Sequence, residues 1–228
     1  MSNLKAVPAQ FITFEGGEGV GKSTNIEYCR QLLEQQGIDV IVTREPGGTE
    51  IAEIIRDELL KKQHHERMSD VTELLLVFAA RAQHIEALIK PALGRGCWVL
   101  CDRFTDSTIA YQGYGRGLEL AIISQLKTIA QLGIEPNKTF LLDAPINVGM
   151  ERAKARGPAD RFETEQLDFF SRVRNGFLAI AKKSPNRVCV INAAQELPQV
   201  QVDLKLALEQ LLFEETEREE KTRKKEQQ

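Results

Sequence analysis

Nine residues, Gly16-Gly17-Glu18-Gly19-Val20-Gly21-Lys22-Ser23-Thr24, follow the apolar run 11–15 and fit the pattern G-x-x-x-x-G-K-[ST]. Glycines at these positions let successive backbone N–H groups turn toward a phosphate, and a helix starting where the pattern ends adds its positive end. Lys22 can then reach the β and γ phosphates of a nucleoside triphosphate such as ATP, and the Ser23 hydroxyl can ligate Mg²⁺. A chance Gly-rich turn is the bland alternative. The apolar run before the loop and the helical pattern after it argue for the phosphate site.

Switches, motors and kinases all use such a loop, and neighbouring residues narrow the choice. A GTPase needs N-K-x-D to read its base; Asn137-Lys138-Thr139-Phe140 lacks the Asp and runs into an apolar stretch. A ParA-like ATPase carries an extra Lys early in the loop, where this chain has Gly17 and Glu18. Motor ATPases are usually longer and close a strand with acidic residues, whereas Val99-Leu100-Cys101 runs into Asp102-Arg103. Asp102 can join a Mg²⁺ shell, and the adjoining Arg103 suits a second, phosphate-bearing substrate.

These side chains need elements that deliver them to one edge. Short apolar, β-branched runs alternate with longer helical segments, the pattern of an α/β parallel sheet covered on both faces. Strands are expected at 11–15, 39–43, 97–101, 139–143 and 187–191. Most are continuously apolar, as strands buried on both faces are. Helices are expected at 22–36, 49–60, 71–90, 118–132, 146–156, 165–183 and 196–213. Gly37 and Gly133 stand where C-terminal caps belong, and Asp70 with Glu73 resembles a capping box. No linker divides the chain, which reads as one domain over 1–213 and a charged tail, 214–228. In the tail, Glu214–Arg218, Glu217–Lys221, Glu219–Arg223 and Glu220–Lys224 stand at i,i+4. Such pairs support a helix, but with no apolar stripe the segment reads as a solvated extension.

The 228 residues are 42% hydrophobic and 28% charged, with net charge −3. That composition suits a globular domain with one sizeable core. The slight negative charge does not favour nucleic acid as a partner, so phosphate binding falls to local Arg and Lys. No apolar run reaches bilayer-spanning length, and residues 1–10 hold one Lys and no signal-peptide core. A cytoplasmic protein without a membrane partner is expected. The four cysteines lack CxxC spacing, and Cys97 with Cys101 falls on one strand face, so free core thiols are expected.

Four blocks together resemble the bacterial type of thymidylate kinase: Phe-Glu-Gly-Gly-Glu-Gly-Val-Gly-Lys-Ser-Thr (14–24), Thr-Arg-Glu-Pro-Gly-Gly-Thr (43–49), Asp-Arg-Phe-Thr-Asp-Ser-Thr-Ile-Ala-Tyr-Gln-Gly (102–113) and Ala-Arg-Gly-Pro-Ala-Asp-Arg-Phe-Glu (155–163). They stand in the family's order and spacing, so the resemblance covers about residues 10–210. It implies a three-layer P-loop nucleotide kinase fold with a parallel sheet of about five strands.

The resemblance also implies roles. Glu18 is similar to the carboxylate that accepts from the deoxyribose 3′-hydroxyl. Arg56 and Arg103 resemble the pair gripping the thymidylate phosphate, where two guanidinium forks orient as well as neutralise. Arg44 and Glu45 flank the turn Pro46-Gly47-Gly48 beside the substrate. Arg81 resembles the donor to thymine O4, Thr108 and Gln112 the polar lining of the base, and Tyr111 the residue packing on the sugar. Where the family stacks a Phe on thymine, this chain has Val77 with Phe78 beside it; either an aliphatic contact or a shifted Phe is implied.

Arg152, Lys154, Arg156 and Arg161 cluster around Gly157-Pro158, and the resemblance reads about 152–165 as a lid. Some members place an Arg in the phosphate loop where this chain has Gly19; others supply that charge from the lid, at the position of Arg156. The implied reaction is ATP + dTMP giving ADP + dTDP, with Lys22, Arg103 and Arg156 catalytic and Ser23 and Asp102 holding Mg²⁺. No general base is required, because the acceptor phosphate is already an anion. A homodimer is implied as well. A kinase for another pyrimidine nucleotide and a regulatory protein that has lost transfer are the alternatives; intact Lys22, Ser23, Asp102 and Arg156 speak against the second.

Overall fold

The structure is a computed structural model, which describes residues 8–61, 66–155, 161–163 and 165–226; Arg156 and the Gly157-Pro158 break lie outside them. Five strands, β1 (Phe11–Glu15), β2 (Val40–Arg44), β3 (Trp98–Asp102), β4 (Lys138–Asp143) and β5 (Val188–Asn192), pair in parallel in the order β2-β3-β1-β4-β5. Each lies within one residue of its expected ends. The helices among the described residues are α1 (Lys22–Gln35), α2 (Glu50–Leu60), α3 (Asp70–His84), α4 (Lys90–Gly94), α5 (Thr105–Thr108), α6 (Leu120–Gln131), α7 (Ile146–Lys154), α8 (Leu167–Lys183) and α9 (Leu197–Glu226). Wider π-type turns, Ile85–Ile89 and Ile109–Gly115, join α3 to α4 and prolong α5.

Side chains of a strand alternate between its two faces, and here both faces are apolar. Ile12, Phe14, Trp98, Leu100, Phe140 and Leu142 meet Ile26 and Leu33 of α1 and Leu204 and Leu208 of α9. Phe11, Val99 and Cys101 meet Ile85, Ile89 and Phe104 on the opposite side. Leu141 and Val188 pack there with Phe169, Phe170, Val173 and Phe177 of α8. The result is three layers with the site residues gathered at the carboxyl ends of β1, β2 and β3. All four cysteines are free, Cys29 and Cys101 fully buried. No helix among the described residues is long and apolar enough to cross a membrane.

Four features differ from the sequence pattern. Ser69 caps α3, its Oγ accepting from the Thr72 N–H at 3.1 Å, while Glu73 turns inward and is 1% exposed. The helix expected to end at residue 90 runs on to Gly94; the wider turn comes just before Pro91, whose missing N–H interrupts the α-ladder. Residues 105–115 are helical although Gly113 and Gly115 argue against it, because Gly113 packs against Leu120 and Gly115 against Phe169 where no Cβ would fit. Helix α9 continues past residue 213 to Glu226, with Lys221 on Glu217 at 3.1 Å and Arg218 on Glu215 at 2.7 Å. The pairs Glu219–Arg223 and Glu220–Lys224 lie outside the described side chains.

The buried part of α9 and its charged end should behave differently. Leu204→Ala, at a fully buried contact with α1, should cost about 2–5 kcal/mol in urea unfolding. Truncation after Arg218 should leave Tm within about 2 °C, because it keeps the pair of Arg218 with the buried Glu215 and breaks only the exposed Lys221–Glu217 pair among the described side chains, worth about a few tenths of a kcal/mol. A drop of several degrees would mean that the end of α9 packs on something.

Candidate active site

Ligands of open α/β sheets bind beyond the carboxyl ends of the strands. Here β1 delivers the glycine loop, β2 delivers Glu45-Pro46, and β3 delivers Asp102-Arg103. Together they wall a cavity of about 640 Å³, lined by Glu18 through Thr24, Arg44, Glu45, Pro46, Arg56, Val77, Arg81, Asp102, Arg103, Thr108, Tyr111, Gln112 and Arg152, among others. That is a volume for a ligand of nucleotide size, in the range of roughly 300–1,000 Å³ typical of such sites.

The loop has the backbone that phosphate binding needs. Gly16, Gly19 and Gly21 have φ of 139°, 66° and 85°, outside the range L side chains favour. A Cβ at Gly19 would collide with the Gly149 carbonyl, and one at Gly149 with the Glu18 carbonyl, so α7 rests directly on the loop. Lys22 Nζ donates to the carbonyls of Gly17 (2.9 Å) and Gly16 (3.4 Å). Burial, and then the nearby Arg103, holds its ammonium below the usual lysine range. Burial and then Arg44 do the same to the Arg56 guanidinium, whose Nη1 donates to the Pro46 carbonyl at 2.8 Å. Cations crowded in this way favour a bound anion, which would offset their mutual repulsion. Asp102 Oδ2 lies 3.5 Å from Ser23 Oγ, and Oδ1 is buried with no hydrogen-bond partner. This hard-oxygen pair fits Mg²⁺, which keeps several waters and takes phosphate oxygens for the rest.

Arg103 occupies a left-handed conformation, φ 66°, uncommon for a residue with a Cβ. Its N–H donates to the Phe14 carbonyl at 2.9 Å, and the next N–H, of Phe104, donates to Glu15 Oε1 at 2.8 Å. The side chain then reaches back over the loop. Nη1 donates to the Gly16 carbonyl (2.7 Å) and Ser107 Oγ (3.2 Å), and Nη2 donates to Glu18 Oε1 (2.7 Å). Tyr111 adds its hydroxyl to Glu18 at 2.6 Å and lays its ring under the guanidinium, 5.0 Å away. Burial opposes the charge on Arg103, but Glu18 and the surrounding oxygens hold it above the ordinary arginine value.

At the far end of the cavity Arg81, 1% exposed, is fixed on three sides. Nε donates to Glu45 Oε2 (2.7 Å), Nη2 to Thr108 Oγ1 (3.0 Å), and the plane lies between Phe78 and Phe104, each 5.0 Å away. His84 holds the other Glu45 oxygen at 3.0 Å and Thr43 at 2.7 Å. Arg81 Nη1 is buried without a hydrogen-bond partner. The alternatives at Val77 and Phe78 separate cleanly: Val77 lines the cavity, whereas Phe78 packs away from it with Leu74, Ile123 and Ala130. Phe78 is therefore placed beneath Arg81 and off the cavity wall, because adjacent helical residues point about 100° apart.

Of the arginines expected on a lid, Arg152 belongs to α7, lines the cavity and donates to the Ala193 carbonyl at 2.7 Å. Arg161 is turned aside: Nε donates to the Leu59 carbonyl at 2.7 Å, and Nη2 meets Glu73 Oε2 at 2.7 Å. Its neighbours Phe162 and Glu163 line the cavity instead. Arg156 lies outside the described residues.

A family model described as thymidylate kinase matches residues 14–204. The chain belongs to the thymidylate kinase family. It is 55% identical over 203 residues to a thymidylate kinase of Teredinibacter turnerae, covering 89% of this chain and 98% of that one. A thymidylate kinase of Pseudomonas fluorescens is 56% identical over 202 residues, covering 89% and 96%. The crystal structure of the Ehrlichia chaffeensis thymidylate kinase superposes with a TM-score of 0.71 at 37% identity, covering 88% of this chain and 99% of that one.

Within this family member, four site residues carried no signal that sequence reasoning used. By type and spacing, Glu15 marks a strand end within the first block, Glu73 a cap, His84 a helix and Phe162 part of the fourth block, and none of these assigns a place in the site. Glu15 accepts from Phe104 N and, at 2.6 Å, from Ser107 Oγ. Burial, and then Asp106, raises its carboxyl to a pKa of about 8. An unfolded Glu titrates near about 4.3, so the folded protein holds a proton that the unfolded chain releases. That stabilisation is complete below about pH 4 and is lost as pH rises through about 8. Glu15→Gln should flatten the fall in unfolding free energy between about pH 5 and pH 8; equal slopes in wild type and variant would refute it.

Proposed function

We propose that the protein transfers the γ-phosphoryl group of ATP to dTMP, forming ADP and dTDP, in the cytoplasm. The observation that carries this reading is the convergence of two anion-seeking ends and one hydrogen-bonding end on a single cavity. The glycine loop with Lys22 suits the triphosphate. Arg56 and Arg103 face the position that a second phosphate would take, and the unpartnered Arg81 Nη1 suits the O4 carbonyl of thymine. Glu18, which accepts from Arg103 and Tyr111, suits the sugar 3′-hydroxyl as an acceptor.

In the transfer, a dTMP phosphate oxygen forms a bond to the γ-phosphorus while the bond to the β–γ bridging oxygen breaks. No proton must be removed, so catalysis is orientation plus neutralisation. Arg56 and Arg103 align the acceptor, and Lys22 spreads its charge over the transferring group. Ser23 and Asp102 would hold Mg²⁺, which when bound neutralises the β and γ oxygens. Gly19 brings no charge and has no room for one, so the further cation falls to the lid, at Arg156.

A coupled ADP-release assay should find ATP- and dTMP-dependent turnover that Lys22→Ala abolishes without loss of fold. Arg156→Ala should lower kcat by about two to four orders of magnitude, as arginines acting on a transferring phosphoryl group do. Its KM for dTMP should stay within a few-fold, and Arg156→Lys should rescue little, since the fork is lost. A raised KM at unchanged kcat would reduce Arg156 to a binding residue.

We also propose a homodimer. Helices α2, α3 and α6 expose Ile51 and Ile54, Val71 and Leu75, and Ile122 and Ile129, all between 47% and 70% exposed. Apolar side chains on neighbouring helices form the kind of surface that a partner covers. Light scattering should find twice the chain mass for the wild type and the chain mass for Ile54→Glu/Leu75→Glu; a monomeric wild type would dispose of the idea.

A further inference from the structure

Helix α3 and the helix through residues 105–115 present facing rows with the same spacing. One row is Glu73, Val77 and Arg81; the other is Thr108, Gln112 and Arg116. At one end Arg81 donates to Thr108. At the other, Glu73 accepts from Gln112 Nε2 at 2.8 Å and from Arg116 Nη2 at 3.2 Å, with Arg161 at 2.7 Å. Val77 lies between them on the cavity wall.

We propose that Glu73 fixes which way round the Gln112 amide stands, and so restricts the cavity to pyrimidines that carry a hydrogen on N3. This rests on the reading that the cavity takes dTMP. A carboxylate between two guanidinium groups has only acceptors to offer its remaining neighbour. The Gln112 amide must therefore turn its NH₂ to Glu73; reversed, two oxygens would meet in a buried place. Its carbonyl oxygen, which receives no hydrogen bond from any described residue, is left for the cavity that Gln112 lines.

The cavity then offers a donor, Arg81 Nη1, and an acceptor, Gln112 Oε1, from neighbouring rungs. Thymine and uracil present the complement on adjacent atoms, the O4 carbonyl and N3–H. Cytosine presents the reverse at both, an amino group and a bare nitrogen. Binding it would leave buried polar groups facing their own kind, the arrangement by which sites reject a near-isostere most strongly. Glu73 touches no substrate atom in this scheme. It is a positioning residue, and the Arg161 contact ties the lid to the same carboxylate.

The test is the ratio of kcat/KM for dTMP and dUMP to that for dCMP, measured in wild type, Glu73→Gln, Gln112→Leu and the double variant. In Glu73→Gln the new amide can donate, Gln112 is free to reverse, and both ratios should fall about tenfold or more. Gln112→Leu should lower them similarly, and adding Glu73→Gln should lower them no further. If Glu73→Gln slows all three substrates by one common factor, Glu73 serves only packing and the proposal fails. If that variant does not fold, Gln112→Leu decides, because it keeps Glu73 and both arginines; unchanged ratios there overturn the proposal. A wild type that prefers dCMP would instead overturn the functional reading, and this inference with it.

Discussion

The active end of the sheet depends on one backbone conformation, the left-handed turn at Arg103. A side-chain-bearing residue held there costs of order 1–3 kcal/mol and persists only where its surroundings insist on it. They do so through β1: the Phe14 carbonyl takes the Arg103 N–H, and Glu15 takes the Phe104 N–H and the Ser107 hydroxyl. The strand that ends in the glycine loop is thus the strand that clamps the arginine turn. The glycine loop and Arg103 share one mount, so the distance between them is set by β1 and its neighbour β3. In-line transfer tolerates little error in that distance.

The far end of the cavity is organised by buried charge. Thr43, His84, Glu45, Arg81 and Thr108 form a continuous chain of hydrogen bonds from β2 through α3 to α5. A buried ion pair adds little to stability because desolvation offsets the attraction. What it does here is aim a guanidinium. With Nε and Nη2 engaged and both faces covered by Phe78 and Phe104, Arg81 has one orientation open to it. A donor held this way keeps its aim without further ordering.

Much of this was legible in the residues alone. Continuous apolar runs gave the five strands because both sheet faces are buried, and the glycine spacing marked the loop after β1 because Gly16, Gly19 and Gly21 take positive φ. What stayed hidden depended on long-range partners. The helix through residues 105–115 is overridden locally by glycine and revealed only by close packing against α6 and α8. Glu73 looked like a cap because its spacing from Asp70 suits one, yet Ser69 stands one residue earlier and does that work. The choice between Val77 and Phe78 turned on the rotation of α3, which Arg81 and its partners set. Exposed pairs in the tail indicated helix correctly, but not that it would be the unbroken end of α9.

The contact between Gly19 and Gly149 has a consequence for the family's history. Two backbones touch there with no side chain between them: a Cβ on Gly19 would strike the Gly149 carbonyl, and one on Gly149 the Glu18 carbonyl. A lineage with this contact cannot drift to a loop-borne arginine by single steps, since each residue blocks enlargement of its neighbour. Position 19 is thereby closed to a second loop-borne cation, and Lys22 remains the charge that the loop itself supplies.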